Sequence, residues 1–279
     1  MRIGVFLAAL AVAVAAVFGW WHANALADPV FRRVVVPLGD WPAGARPVTV
    51  ALMSDIHLGN SVMDAARLTR IVGQVNARHP DLVAIAGDFV AEFDPAVAER
   101  AAKDMAAPLA GLRAPLGVVA TLGNHDQSVP TTIRAALERA GITVLDNQAA
   151  QRGPLAIAGI GDAFSRHDDV ARTVAAVQGL AGAKLVVSHS PDVSLKLPPG
   201  YDVVLAGHTH CGQVVLPVIG PPRVFWRPGY RCGVIRRGGR TTVVSAGLGT
   251  SELPVRWRAP PDVWLVRLGP AGPVSRSRP

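Results

Sequence analysis

Short apolar runs alternate with amphipathic stretches along most of the chain. Runs rich in Val, Ile, Leu and Ala, each followed by a loop, span residues 48–53, 82–86, 117–122, 142–145, 155–160, 184–187 and 203–206. Stretches with the three- and four-residue apolar spacing of a helix face span 63–78, 95–107, 131–140 and 168–177. This order of strand, loop and helix predicts an α/β fold whose strands are buried on both faces.

The pattern changes after Gln213, where short β-rich runs are separated by Gly and Pro. The clearest of these runs are 241–245 and 263–268, and residues 217–228 read as an irregular surface loop. Residues 28–47 contain four prolines and are expected to form a linker with one edge strand over 31–36. The predicted division is a segment over 1–27, a linker over 28–47, one domain over 48–269 and a flexible tail over 270–279.

The N-terminal segment lacks charge from Ile3 to Trp21 and ends in two tryptophans. Its length is close to the roughly 20 residues that span a bilayer, and tryptophan favours the membrane interface. We expect a single-pass anchor in the cytoplasmic membrane, with the following domain on the outer, periplasmic side. A signal peptide cleaved near Ala25, giving a secreted protein, is the alternative. A buried core helix is disfavoured because the segment has no polar face.

The formal net charge is +8, and it is concentrated near the C-terminus. From residue 223 onwards the sequence has eleven arginines and only two acidic residues, Glu252 and Asp262. Such a lobe suits an anionic substrate or membrane surface, although a solvated arginine-rich surface explains it equally well. Nucleic acid is disfavoured because aromatic residues do not alternate with the arginines. Two cysteines are too few for a disulfide framework; they could pair in an oxidising compartment, but Cys211 is expected to be a buried structural thiol.

Candidate metal ligands follow five of the apolar runs. They are Asp55, His57, Asp88, Asn124, His189, His208 and His210. Residues two apart on an extended segment point to the same side, so Asp55 with His57, and His208 with His210, are each expected to face one point. Seven ligands exceed the three that one catalytic metal usually takes, which predicts two metal ions sharing a carboxylate.

A two-metal site with a bridging hydroxide would carry about one net positive charge and attract a phosphate ester. His125 follows Asn124 and is not needed as a ligand. We expect it to give a proton to the leaving oxygen, with Asp126 orienting its ring.

The five blocks Asp-x-His, Gly-Asp, Gly-Asn-His-Asp, a later His and Gly-His-x-His resemble those of the calcineurin-like metallophosphoesterases, over residues 48–268. The stretch from Gly207 to Gln213 and the N-terminal segment look like the membrane-anchored bacterial branch typified by YaeI and YkuE. The resemblance implies a four-layer α/β/β/α sandwich. It also implies that Asp55, His57 and His210 hold one metal, that Asn124, His189 and His208 hold the other, and that Asp88 bridges them. Manganese, iron and zinc all occur in the family.

The expected function is dimetal-dependent hydrolysis of a phosphate ester, with a phosphodiester favoured. One alternative is hydrolysis of a lipid-linked or UDP-sugar pyrophosphate. Others are a nucleic-acid-processing enzyme and a metal-binding protein without activity. The expected partners are a phosphate-ester substrate and the membrane, with no obligate protein partner.

Overall fold

A computed structural model of the protein describes residues 2–271, except 223 and 225. Its α-helices are α1 (Arg2–Leu26), α2 (Ala65–Asn76), α3 (Pro95–Leu109), α4 (Pro130–Arg139) and α5 (Val170–Gln178). Its first six strands are β1 (Val30–Leu38), β2 (Val48–Met53), β3 (Leu82–Ala86), β4 (Val118–Thr121), β5 (Thr143–Val144) and β6 (Gln148–Arg152). The others are β7 (Leu155–Ile160), β8 (Ala183–Ser188), β9 (Val203–Ala206), β10 (Gly233–Arg237), β11 (Arg240–Val244) and β12 (Asp262–Pro270).

The strands form two six-stranded sheets. The first has the order β1-β12-β2-β3-β4-β5, and the second β10-β11-β9-β8-β7-β6. Strands β2 to β5 are parallel to one another, as are β7, β8, β9 and β11. Parallel strands end at the same edge of a sheet, so the loops that follow them gather there.

Alternating side chains divide the apolar core into layers. In β2, Ala51 and Met53 pack with α2, α3 and α4, whereas Val50 and Leu52 pack between the two sheets. Residue Val186 of β8 faces the layer that contains α5. Because both faces of these strands are covered by apolar side chains, they are continuous hydrophobic runs in the sequence. The result is the expected four-layer α/β/β/α sandwich.

The predicted strands at 48–53, 82–86, 155–160 and 203–206 are confirmed with the same bounds. Strands β6 and β10 were not predicted. The edge strand expected over 31–36 is present but longer, and β1 pairs with β12 along its whole length. Pro270 closes β12, whereas the rest of the expected tail, from 272 on, lies outside the described residues. The division into anchor, linker and domain stays a prediction.

Helix α1 is exposed along most of its length and packs against the domain at its end. An apolar stretch from Ile3 to Leu26 is long enough to cross a membrane, and it is not buried by the protein. At its end, Trp21 stacks on Trp257 with ring centroids 5.2 Å apart, and Ala25 is fully buried. A long exposed apolar helix with a docked end fits an anchor better than a core helix.

Cys211 is buried, as expected, and it forms the disulfide with Cys232 that the sequence left open. It lies in a 3-10 turn, where its backbone has φ of 54°. Its burial was expected from strand geometry, which this turn does not have. The bond closes the irregular segment between residues 211 and 232 at its base.

Candidate metal centre

The predicted ligands converge where the two sheets meet at one edge. Asp55 and His57 follow β2, Asp88 follows β3 and Asn124 follows β4 in the first sheet. His189 follows β8, and His208 and His210 follow β9 in the second sheet. Asn124 is partly exposed and the other six are buried. The structure therefore brings all seven predicted side chains together.

The loops reach this convergence through left-handed backbone conformations. Five of the seven residues have positive φ between 48° and 69°: Asp55, His57, Asp88, His208 and His210. Side-chain-bearing residues rarely adopt this region, and such residues cluster at functional sites. The expectation that Asp55 and His57 converge because they lie on an extended segment is therefore wrong in its reason, although the side chains do face one site.

Glycines allow the loops to approach each other closely. A Cβ on Gly207 would stand 2.4 Å from Asp55 Oδ2, and a Cβ on Gly123 would stand 2.2 Å from Asp88 Oδ1. No side chain fits in either gap. Each glycine directly precedes a predicted ligand, which explains why Gly recurs in these blocks.

Three of the predicted ligands form a group that we call cluster one: Asp55, His57 and His210. The Nε2 atoms of His57 and His210 are 3.1 Å apart, and His210 Nε2 is 3.4 Å from Asp55 Oδ1. Asp55 also accepts the backbone N–H of His208 with both carboxylate oxygens. One carboxylate and two imidazoles thus face a common point.

Three others form cluster two: Asn124, His189 and His208. His189 Nε2 lies 3.2 Å from Asn124 Oδ1 and 3.2 Å from His208 Nδ1. The carboxylate of Asp88 joins the clusters, because its Oδ2 lies 3.5 Å from His57 Nε2 and 3.2 Å from His189 Nε2. Within the part of the chain that the structure describes, several groups of acidic and histidine side chains have their ligand atoms close enough together to hold one metal ion. Asp88 belongs to two of these groups.

Backbone carbonyls fix the tautomers of two histidines. His57 Nδ1 lies 3.3 Å from Val90 O and His189 Nδ1 lies 2.7 Å from Ala86 O. A carbonyl only accepts, so each Nδ1 carries a proton and each Nε2 points at Asp88. In a neutral ring that Nε2 has a lone pair, which repels a carboxylate unless a cation, either a metal ion or a proton, lies between them. Metal-ligating histidines are usually oriented in this way.

Burial and neighbouring charges move the pKa values of these groups in different directions. Burial lowers the pKa of His57 to about 3 and raises that of Asp55 to about 7. Burial would also raise the pKa of Asp88, but the His189 charge and hydrogen bond hold it well below its usual range. Against its own burial, His189 is held by Asp88 at a pKa well above its ordinary value. Without a metal, a proton on His189 balances the Asp88 charge.

His125 and Asp126 lie beside the clusters but do not act as a pair. The Nδ1–H of His125 donates to Ala91 O at 2.7 Å, so its Nε2 is the atom left for substrate. Asp126 accepts backbone N–H groups from Asp88, Phe89 and Gly123 at 2.8–2.9 Å. Asp126 therefore ties the Asp88 loop to the Gly123 loop and does not orient the His125 ring, contrary to expectation.

Sequence reasoning missed three side chains at the site. Arg256 is fully buried, and its Nη2 lies 3.4 Å from His210 Nδ1. It also donates to the carbonyl oxygens of Ala246, Gly249 and Ala259, which fixes the loop beside cluster one. Phe93 stacks on His125 at 4.1 Å and Phe164 lies against His208 at 4.4 Å. Only the position of Phe93, shortly after Asp88, gave any signal, because Phe164 follows β7 and no predicted ligand lies in that loop.

A family sequence model described as calcineurin-like phosphoesterase matches residues 48–212, more than half of the chain. The chain belongs to this family. The match ends at Gly212, after Cys211 and the last predicted ligand, so it contains every predicted ligand. Members of the family are dimetal-dependent enzymes, and the ligand groups in the structure agree with that chemistry. Family and fold are those of metal-dependent phosphoric ester hydrolases.

Relatives extend the match beyond the family domain. The chain is 29% identical to the phosphodiesterase YaeI of Escherichia coli, over 94% of this chain and 97% of that protein. It is 28% identical to the metallophosphoesterase YkuE of Bacillus subtilis, over 81% of each. It is 31% identical, over 90% of its length, to a Danio rerio protein named transmembrane protein with metallophosphoesterase domain. The expected branch of the calcineurin-like phosphoesterases is thus confirmed. The chain spans 45% to 59% of the animal relatives.

Proposed function

We propose that the chain is a membrane-anchored phosphodiesterase that uses two metal ions. Cluster one and Asp88 would hold one ion, and cluster two and Asp88 the other. Bound there, the ions would supply Lewis acidity, lower the pKa of a water molecule and neutralise phosphate oxygens. The observation that carries the proposal is the pair of Nε2 atoms, on His57 and His189, that point at one buried carboxylate, that of Asp88.

The chain's own residues supply the remaining chemistry. His125 Nε2 faces the site because Nδ1 is bound to Ala91 O, so a protonated His125 can donate to the leaving oxygen. Asp126 and the glycines hold the loops at their close spacing. The rings of Phe93 and Phe164, both partly exposed, stand on either side of the ligands and suit an apolar substituent of the substrate.

A lipid-linked substrate, including the lipid-linked or UDP-sugar pyrophosphate alternative, is the narrower version of the proposal. Arg256 supports it, because this residue contacts both the end of α1 and a predicted ligand. Its backbone N–H donates to Trp21 O at 3.0 Å while its side chain reaches His210. The clusters therefore lie about one arginine side chain from the end of α1, close to where a membrane surface would be.

The disulfide supports a location outside the cytoplasm. Such bonds persist in oxidising compartments and are rare where thiols are kept reduced. With α1 as a single-pass anchor, the domain would lie on the periplasmic side of the cytoplasmic membrane. Protease protection of the domain in intact spheroplasts would contradict this orientation.

The test uses the purified full chain, freed of metal and then given manganese. We expect hydrolysis of bis(p-nitrophenyl) phosphate that a chelator abolishes and that two bound ions per chain restore. His125→Ala should slow diesters with poor alkoxide leaving groups far more than the p-nitrophenyl ester, because only the former need a proton. His167→Ala, at an exposed histidine, is the matched control.

Two results would contradict the proposal. If hydrolysis persisted with metal removed, the two-metal chemistry would be wrong. If a lipid-presented diester in nanodiscs and its soluble analogue were hydrolysed equally well, the narrower proposal would fail while the phosphodiesterase assignment remained.

A further inference from the structure

We propose that the hairpin 216–220 is a second membrane contact, which enters the bilayer surface beside the end of α1. The partner is the lipid bilayer itself. The inference shares one assumption with the proposed function, namely that α1 is embedded in a membrane. It adds a surface that holds the domain in one orientation.

The end of α1 and segment 254–257 run side by side in opposite directions. Three contacts pair them in order: His22 with Pro254, Trp21 with Arg256, and Trp20 with Trp257. The apolar residues of α1 that would lie in the bilayer precede Trp20. Passing from 254 to 257 therefore leads towards the membrane.

Segment 213–216 continues in that direction. Val214 pairs with Trp257 in a parallel bridge, Trp257 N–H donates to Gln213 O at 2.9 Å, and Val215 N–H donates to Trp257 O at 3.0 Å. An extended residue advances about 3.3 Å, so Leu216 lies about 7 Å beyond Val214 towards the bilayer. The chain then reverses, and Leu216 and Gly220 exchange two backbone hydrogen bonds of 2.9 Å.

The tip of this hairpin is apolar and open. Val218 is fully exposed and Ile219 is 78% exposed. Two neighbouring aliphatic side chains at one projecting tip would be costly in water, and they fit a bilayer surface. Trp20, Trp21 and Trp257 gather beside its base, and tryptophan favours the interface. Arg258 follows Trp257 and is exposed, so it suits lipid phosphate groups at the same level.

The tip stands on a fixed base. The disulfide between Cys211 and Cys232 closes the segment, and Gln213 donates to Ser251 O and Leu253 O. Because Gln213 is only three residues from His210, a hairpin held in lipid would also hold cluster one next to the membrane surface. Two contacts, the helix and the hairpin, stop the domain from turning about its anchor.

The test places a fluorescent amino acid at residue 219 of the full chain, which leaves both cysteines untouched. The protein is reconstituted in phosphatidylcholine–phosphatidylglycerol nanodiscs with or without brominated acyl chains. We expect residue 219 to lose most of its emission in brominated lipid. The same label at Leu10 in α1 should also be quenched, whereas at Leu195, exposed in the turn that follows β8, it should keep its emission. Thermal unfolding of each labelled protein checks that it is folded.

Full emission at residue 219 while residue 10 is quenched would overturn the proposal, and so would full emission at both. If residue 219 kept its emission and instead cross-linked to a second copy of the chain, the tip would be a protein contact. None of these readouts needs hydrolysis, so the proposal can fail while the phosphodiesterase activity stands, and the reverse.

Discussion

The two ligand clusters share Asp88 and similar residue types, but they hold their protons differently. In cluster one, burial keeps both histidines neutral, with the pKa of His210 well below its ordinary value, and Asp55 is the group that titrates near neutrality. In cluster two, His189 holds a proton against Asp88. A buried arginine stands beside cluster one. Similar ligands can therefore give two sites with different proton and metal preferences, set by what surrounds them.

The largest effect is expected where the clusters join. Asp88→Asn removes a charge that both proposed metal positions would share, so several kcal/mol of metal stabilisation would be lost. Hydrolysis should fall by about three orders of magnitude. Metal content by mass spectrometry should fall below two ions per chain. Asp104→Asn, on the exposed face of α3, is the control and should change neither value. Full activity in Asp88→Asn would contradict the idea that the two clusters share Asp88, because they would then work independently of it.

Arg256→Met tests whether the surroundings of cluster one matter. The substitution leaves the carbonyl oxygens of Ala246, Gly249 and Ala259 without their buried donor. The free energy of unfolding should fall by about 3 kcal/mol. Chemical denaturation measures this, and Arg258→Met, at an exposed arginine, should cost little. Metal retention should weaken more at cluster one than at cluster two, which double variants with His210→Ala or His208→Ala can separate. Equal weakening would mean that Arg256 acts only on the fold.

Gly207→Ala tests cluster one by a steric effect, without changing any predicted ligand. The added Cβ would stand 2.4 Å from Asp55 Oδ2 and must displace that carboxylate. Loss of the surroundings that orient a ligand typically costs about 10- to 100-fold in metal affinity, and we expect a loss of that order here. Titration of the metal-free protein with manganese gives the two affinities. Gly39→Ala, where a Cβ meets open space, is the control. An unchanged affinity would show that the loop yields without cost.

The smallest effect is a difference in pH dependence between the clusters. A proton must leave before a metal takes its place, so metal affinity rises with pH through the metal-free pKa and levels off above it. Cluster one should fill as pH rises through about 7, the pKa of Asp55, and cluster two at higher pH because His189 keeps its proton longer. Equilibrium dialysis with His208→Ala should show only the first step. A single step in the unaltered protein would contradict the comparison.

Much of the sandwich could be predicted because its central strands are buried on both faces and are continuous apolar runs. Strand β6 was missed because residues 148–152 lie at a sheet edge and include two glutamines and an arginine. The candidate ligands were predicted from residue type and their place after strands, and the structure brings them together. Their left-handed backbone was not, since Asp and His do not require it. Arg256 could not be told apart from the other arginines of the basic lobe until its burial was seen.

The bond between Cys211 and Cys232 has a consequence for when the enzyme becomes active. Cys211 is the immediate neighbour of His210, the last predicted ligand, and both lie in one 3-10 turn. The disulfide therefore stabilises the turn that positions this histidine. A newly made chain still facing a reducing cytosol would lack that brace. With the periplasmic orientation proposed above, oxidation after export would act as a maturation step, and the hydrolase would reach full activity only outside the cytoplasm.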